Sequence, residues 1–265
     1  MIALVVAQKY KTLKTQGNHN NEIGMPQTLF GLDSSYEAAV IEMGMSHQGE
    51  ISRMSMSCQP DVAVITNIGI SHIENLGTQE NILKAKLEIL DGAAYDAPLI
   101  LCRDDKLLAG VQLHSDRKVY YYSVSKKDCD VYASGVKTVD NSITFTINYE
   151  GGKIAAQINC LGEHNVKNAL AAFCVGLALD IPPEDIVKGI AQFKPEGLRQ
   201  NVTVIDGVTY IVDCYNAAPD SMKASLSVLS QAQAEGKRIC VLGDMLELSL
   251  IHISAPTRHL RISYA

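Results

Sequence analysis

Glu42, His72 and Lys86 are the residues with the most chemistry to offer in this chain. A carboxylate and an imidazole are common metal ligands, yet magnesium prefers oxygen donors, and a free lysine is no ligand at all. Carbon dioxide captured by Lys86 would remove that inconsistency, because the resulting carbamate presents negative oxygens. Taken singly, the three read more simply. Isolated Glu and His side chains usually serve packing or solvation, and a lysine can run its stem past an apolar edge with its head in water. Both readings stand at this point.

Two other polar groupings could meet a ligand. Asn18, His19, Asn20 and Asn21 lie together between the breakers Gly17, Gly24 and Pro26. Such a loop either satisfies its own backbone or supplies donors to a bound polar molecule. His164 and Asn165 open a long apolar helix, where unpaired backbone N–H groups favour phosphates or polar rings. Capping of that helix is an equally good account of both.

The elements that must position these residues centre on Asp61 to Asp91. Val62 to Ile65 reads as a buried strand, and a polar loop with Asn67, His72 and Glu74 follows. A helix then carries Lys84 and Lys86. Its apolar stripe is Ile82, Ala85, Ile89 and Leu90, which puts Lys86 at the edge of the buried face and Lys84 with Glu80 and Glu88 on the wet side. A half-buried lysine loses part of its preference for the charged form and becomes a nucleophile open to modification.

The runs Ala38–Met43, Val62–Thr66 and Leu99–Cys102 predict buried parallel strands separated by helices, an open α/β sheet. Ligands collect at the carboxyl ends of such strands, and Glu42, Asn67 and His72 fall there. Between Lys118 and Cys160, VYYYSV, SITFTINYE and KIAAQINC predict antiparallel strands on the sheet's edge, with turns at Asp140-Asn141 and Gly151-Gly152. Helices are expected over LGEHNVKNALAAFCVGLALD, with Val166, Ala169, Leu170, Phe173 and Leu177 inward, and over PPEDIVKGIAQF. MIALVVAQKYKTL has the pattern of an amphipathic helix that lacks an N-cap, so its start is expected upstream. Lys194 to Gly197 reads as a joint, after which VTVID, VTYIVDCYN, PDSMKASLSVLSQAQAEG and RICVLGD predict a fresh βαβ unit. The final LIHISAPTRHLRISYA has no acidic residue and no periodicity, and is expected to be foreign to the fold.

With 265 residues and 47% hydrophobic content, the chain can bury one large core or two ordinary ones. A net charge of -6 argues against a general nucleic-acid or anionic-membrane surface. No apolar run is long enough to span a bilayer and no leader is evident. The 7 cysteines are scattered without a C-x-x-C pair, as expected of reduced core residues in a cytoplasmic protein. Trp is absent, and there is no repeat or low-complexity segment.

In order along the chain, GNHNNEIGMPQTL, VIEMGMSHQGEI, VITNIGISHIENLGTQENILKAKLEI, LGEHNVKNALAA, GLR, VDCYNAAPDSMKASL and VLGDMLEL resemble the Mur ligases, over roughly Met1 to Ser249. The asparagine-rich loop and the CYNAAPDSMK segment resemble the branch that adds D-alanyl-D-alanine to UDP-N-acetylmuramoyl-tripeptide, and speak against the related folylpolyglutamate synthases. The resemblance implies a central ATPase domain at residues 1–194, the beginning of a Rossmann-like C-terminal domain at 195–249 and an unassigned tail at 250–265. It implies ATP and magnesium, no nucleic-acid partner, no membrane insertion and a monomer in the cytoplasm.

Motif by motif, the resemblance implies that Glu42 and His72 bind magnesium with Lys86, the carbamylated lysine. His164, Asn165 and Asn168 match the adenine-nucleotide motif. Arg199, Asp213, Tyr215 and Asn216 match residues that close over ATP. Thr15, Gly17, Asn20 and Asn21 match the loop that meets the UDP-muramoyl peptide. His47, Gln48 and Glu50 belong to the HQGEI segment, where a substrate-side role and a structural one are equally open. The implied reaction phosphorylates the peptide's terminal carboxylate with ATP and lets an amine displace phosphate. The family's glycine-rich phosphate loop ending in Gly-Lys-Thr is not in these residues; the resemblance puts it just upstream of Met1, after a UDP-sugar domain. The chain is therefore expected to be a fragment without ligase activity of its own. A different class of reading is a truncated, non-catalytic module that binds nucleotide or muramoyl peptide.

Overall fold

The opening apolar residues form α1 (Ile2–Val6) and stop well short of the helix that the pattern predicts. The chain turns after Val6, and β1 (Thr12–Lys14) takes the residues expected to end that helix. Its partner is β2 (Ala38–Val40), with Thr12 opposite Ala38 in parallel register. Cross-strand hydrogen bonds thus overrule the helical period there. Between them lies α2 (Gly24–Leu29), capped by Asn21, whose Oδ1 accepts from the Ile23 and Gly24 amides. Gly24 and Pro26, expected as breakers, both lie in this helix, in the turn where a missing N–H costs nothing.

The computed structural model describes residues 1–113, 116–139, 141–195, 197–232, 234, 236–243 and 245. The 250–265 tail expected to be foreign, and Asp140 of the first expected turn, lie outside the described residues.

After α3 (Glu50–Cys58) come β3 (Ala63–Ile65), α4 (Ile73–Leu76) and α5 (Gln79–Leu87), which ends in a 3-10 turn at Glu88–Leu90. Next are β4 (Leu99–Cys102), α6 (Lys106–Ala109), β5 (Val119–Ser123), β6 (Val131–Val139), β7 (Ser142–Tyr149) and β8 (Gly152–Ile158). Strands β3 to β8 form one sheet in chain order; β3 to β6 run parallel, and β7 and β8 return antiparallel. The fold is mixed α/β, with a mostly parallel sheet flanked by helices and an antiparallel edge.

Three strand expectations are corrected. VYYYS, expected on the antiparallel edge, is β5, hydrogen-bonded in parallel to β4 and β6. VYASGVKTV, not recognised as a strand, is β6. β2 is parallel to its partner as expected, but it pairs with β1 in a separate two-stranded sheet and is half-buried, where a buried strand of the same sheet as β3 and β4 was expected.

Helix α7 (Glu163–Ala178) covers β4, β5 and β6, with Val166, Ala169, Leu170 and Phe173 fully buried. Helix α8 (Pro183–Ala191) packs beside it on α1 so closely that a Cβ on Gly189 would lie 2.7 Å from the Val5 Cα. Glycine permits that backbone-to-backbone approach.

Beyond the joint, β9 (Asn201–Ile205) and β10 (Val208–Val212) form an antiparallel hairpin, followed by α9 (Pro219–Gln231). Asp206 and Gly207 turn the hairpin with φ of 50° and 75°, the pair of positive angles that suits a tight right-twisted turn. Among the described residues the expected βαβ unit is not formed: β10 pairs back onto β9, and Ile239, Val241 and Leu242 of RICVLGD are exposed and in no strand. A strand needs a neighbour for its amides, and β10 has spent one edge on β9. Of the 7 cysteines, Cys102, Cys160 and Cys174 are buried core residues as expected, but Cys214 is exposed.

Candidate active site

Lys86 occupies the edge of α5 that the apolar period predicts: Ile82 and Ala85 are buried, Lys84 is exposed and Lys86 is half-buried. Its Nζ donates to the Asn67 carbonyl at 2.7 Å and lies 3.5 Å from Asn67 Oδ1. Burial pushes the Lys86 pKa down, and the Asp105 carboxylate pulls it back up. Glu88 departs from the expected wet side. It turns inward to accept from the Gly49 and Ser52 amides and so closes the start of α3. His72 begins α4 with a φ of 62°, the left-handed region that non-glycine residues enter at a cost.

Glu42 is an exposed carboxylate just past β2, strapped to the asparagine-rich loop from both ends. Asn20 Nδ2 donates to Glu42 Oε1 at 2.8 Å, and the Glu42 amide donates to Thr15 Oγ1 at 2.9 Å. The Thr15 amide donates to the Val40 carbonyl and the Gly44 amide to the Asn20 carbonyl. A Cβ on Gly44 would press the Asn20 side chain at 3.1 Å, so this strap depends on a glycine there. Gly17 turns the loop with a φ of 54°. Asn21, by contrast, is spent on capping α2, the turn-forming alternative. His47 and Glu50 bond each other and the turn before α3, while Gln48 stays exposed.

Among the described residues, no three His, Cys, Asp or Glu side chains converge as a metal cage. Glu42 and His72 offer one carboxylate and one imidazole, and a free Lys86 amine adds nothing that magnesium favours. With a carbamate on Lys86 the donors become mostly negative oxygen, which does fit that ion.

At the start of α7, neither His164 nor Asn165 caps the helix. Asn165 is buried; its Nδ2 donates to the Leu161 carbonyl at 2.7 Å and to Gln200 Oε1 at 3.1 Å, and Asn168 Nδ2 reaches Asn165 Oδ1 at 3.4 Å. Burial pushes the His164 pKa down, against a hydrogen bond with Gln200 and the charge of Asp213. Asp213 accepts from Ser225 Oγ, Asn216 Oδ1 from the Ala217 amide, and Arg199 stacks over the Tyr215 ring at 4.1 Å. So Gln200 and Asp213, both beyond the joint, reach the first turn of α7.

Sequence reasoning missed Asp104, Asp105, Gln79 and Gln200. Asp104 accepts from Ser123, Ser125 and the Val124 amide and lies 3.9 Å from Lys167 Nζ. Burial works against its charge, but those partners win and hold its pKa below the usual carboxylate value. The signal was available: Asp104-Asp105 sits at the carboxyl end of a parallel strand, where α/β sheets bind ligands. Gln200 had no such signal.

Comparison with known proteins supplies the family. The description "Mur ligase middle domain" matches residues 1–176, and "Mur ligase, glutamate ligase domain" matches residues 197–259. UDP-N-acetylmuramoyl-tripeptide–D-alanyl-D-alanine ligase of Bacillus subtilis is 41% identical over 249 residues, 94% of this chain and 53% of that protein. A solved structure of the corresponding ligase from Acinetobacter baumannii superposes with a TM-score of 0.84 at 34% identity, over 94% of this chain and 54% of that one. MurF ligase from Thermotoga maritima in complex with ADP follows with a TM-score of 0.78 at 26% identity, over 87% of this chain and 53% of that one. The chain thus spans about half the length of the relatives it matches. Matched over most of its length by the middle-domain description, it belongs to the Mur ligase family.

Proposed function

We propose that this chain is the ATP-handling centre, residues 1–194, and the beginning of the C-terminal domain, from residue 195, of a ligase that joins D-alanyl-D-alanine to UDP-N-acetylmuramoyl-tripeptide. The observation that carries the reading is Lys86: a half-buried amine with lowered pKa, docked on the loop that leads to His72. The names of the relatives above and the ADP of the Thermotoga maritima complex support the substrates and the nucleotide.

In this reading a neutral Lys86 Nζ attacks carbon dioxide; an N–C bond forms, one C–O π bond breaks, and a proton leaves the nitrogen. Glu42, His72 and the carbamate would hold magnesium, which when bound supplies positive charge beside the phosphates. Thr15, Gly17 and Asn20 hold the muramoyl peptide, Asn21 shapes their loop by capping α2, and the Asn20–Glu42 bond ties that loop to the ligand set. His47 and Gln48 lie on the same side of the scheme as substrate contacts. His164, Asn165 and Asn168 meet the nucleotide, and Arg199, Asp213, Tyr215 and Asn216 close on it from beyond the joint. The peptide carboxylate attacks the γ-phosphorus as the bond to the bridging oxygen breaks. The amine of D-alanyl-D-alanine then attacks the acyl carbon, phosphate departs with its electron pair, and the amine loses a proton. Free thiols at Cys58, Cys102, Cys129, Cys160, Cys174, Cys214 and Cys240 support a reducing, cytoplasmic setting.

The test is a chimera in which residues 1–249 replace the matching part of the Bacillus subtilis ligase. It should join the two substrates with ATP, and Lys86→Ala should lower kcat by about 10²–10³-fold. A chimera that folds and binds ATP yet joins nothing overturns the reading.

A further inference from the structure

Four polar backbone groups in the loop after β3 are each gripped by a side chain from another element. Asn67 O accepts from Lys86 Nζ at 2.7 Å, and Ile68 N donates to Asp105 Oδ2 at 2.6 Å. Gln79 Nε2 donates to Ile68 O at 3.0 Å and to Gly69 O at 3.4 Å. The grips are themselves anchored. Asp105 Oδ1 caps α6 through the Leu107 and Leu108 amides, and Gln79 is the first residue of α5, which Thr78 caps. Ile68 is buried, so its amide and carbonyl would be costly to leave unpaired.

We propose that Asp105 and Gln79 are positioning residues that fix the 67–72 loop, and through it set the Lys86 nitrogen and His72 toward one ligand site. The proposal rests on the reading of Lys86 and His72 given above. A carbamate nitrogen keeps one N–H, and Asn67 O is its acceptor. The loop's path therefore decides how a carbamate turns about Nζ, and Asp105 and Gln79 decide the loop's path. Partners of this kind hold metal-site geometry without touching the ion.

Asp105→Asn isolates the effect. Its remaining oxygen still serves the α6 amides, but the opposite face presents an NH2 to the Ile68 amide, donor against donor. Gln79→Glu keeps the length and removes the donor to two carbonyls. The experiment is ¹³C NMR of the full 265-residue chain in ¹³C-bicarbonate, with hydrogen exchange at the Ile68 amide and the thermal midpoint measured alongside. The wild type is expected to show a carbamate resonance that Lys86→Arg abolishes. Asp105→Asn should speed Ile68 exchange about tenfold or more and cut carbamate occupancy about tenfold or more, with a midpoint near wild type. Loss of the Asp105 charge alone would favour the neutral amine and raise occupancy, so the sign separates positioning from electrostatics. Unchanged or raised occupancy in Asp105→Asn overturns the proposal. Should that variant unfold, Gln79→Glu, which leaves the α6 cap intact, decides by the same readings. A wild-type chain with no carbamate overturns the underlying reading as well, and shows itself before any substitution is made.

Discussion

Strand β4 and the hairpin β9–β10 are built from similar apolar residues and live in opposite surroundings. Leu99, Ile100 and Leu101 are 0% exposed, between β3 and β5 and under α7, whereas Val204 is 65% and Ile205 54% exposed. Burial therefore holds the first region, at roughly 25 cal/mol for each Å² of apolar surface withdrawn from water. The hairpin depends on its own ladder and on a seam with the first block. That seam is polar at Asn165–Gln200 and apolar at Val228, whose Cγ2 lies 3.3 Å from where a Gly162 Cβ would stand. Lys86 and His72, the ligands proposed above, lie beside the dry region, and Arg199, Asp213, Tyr215 and Asn216 come from the wet one. A buried region and an exposed one thus meet at the first turn of α7, where the nucleotide is proposed to bind.

The contrast can be broken most strongly at Ile100. Ile100→Ala should cost about 2–5 kcal/mol in urea unfolding, since the tightly packed sheet cannot collapse around the hole. A loss no larger than that of a surface change would remove the distinction between the regions. The seam should respond to pH. Burial lowers the His164 pKa from the ordinary 6.5, so the unfolded chain takes up the proton first. Stability from this group is complete above pH 6.5 and lost as pH falls through the lower folded value. Wild type should lose more stability than His164→Asn between pH 7 and pH 5 in thermal scans, and equal losses would mean that His164 is not held in the seam. Val204→Ala should be the smallest effect, within about 0.5 kcal/mol; a core-sized loss would show that β9 is covered.

The contrast also explains what was legible. Helices α7 and α8 follow from long periods, and β3 and β4 from short apolar runs, because burial writes itself into residue type. Strand β6 was hidden: half of it is exposed, Gly135 sits inside it, and its register slips between Ser134 and Lys137, so no alternation survives. The parallel sense of β5 is not in its residues at all; the crossover through α6 sets it. Of the site, Lys86 at the helix edge and His164 in the first turn could be read from spacing. Gln200, Gln79 and Glu88 could not, since each acts through one or two hydrogen bonds to residues distant in sequence, and no short pattern encodes that.

A crystal structure of the chain grown with bicarbonate and manganese, the latter located by its anomalous signal, tests the Lys86 site without any substitution. A carbamate on Lys86 and a metal peak held by that carbamate, Glu42 and His72 are expected. A bare Lys86 amine still bonded to Asn67 O, with no metal at Glu42 or His72, would contradict that reading.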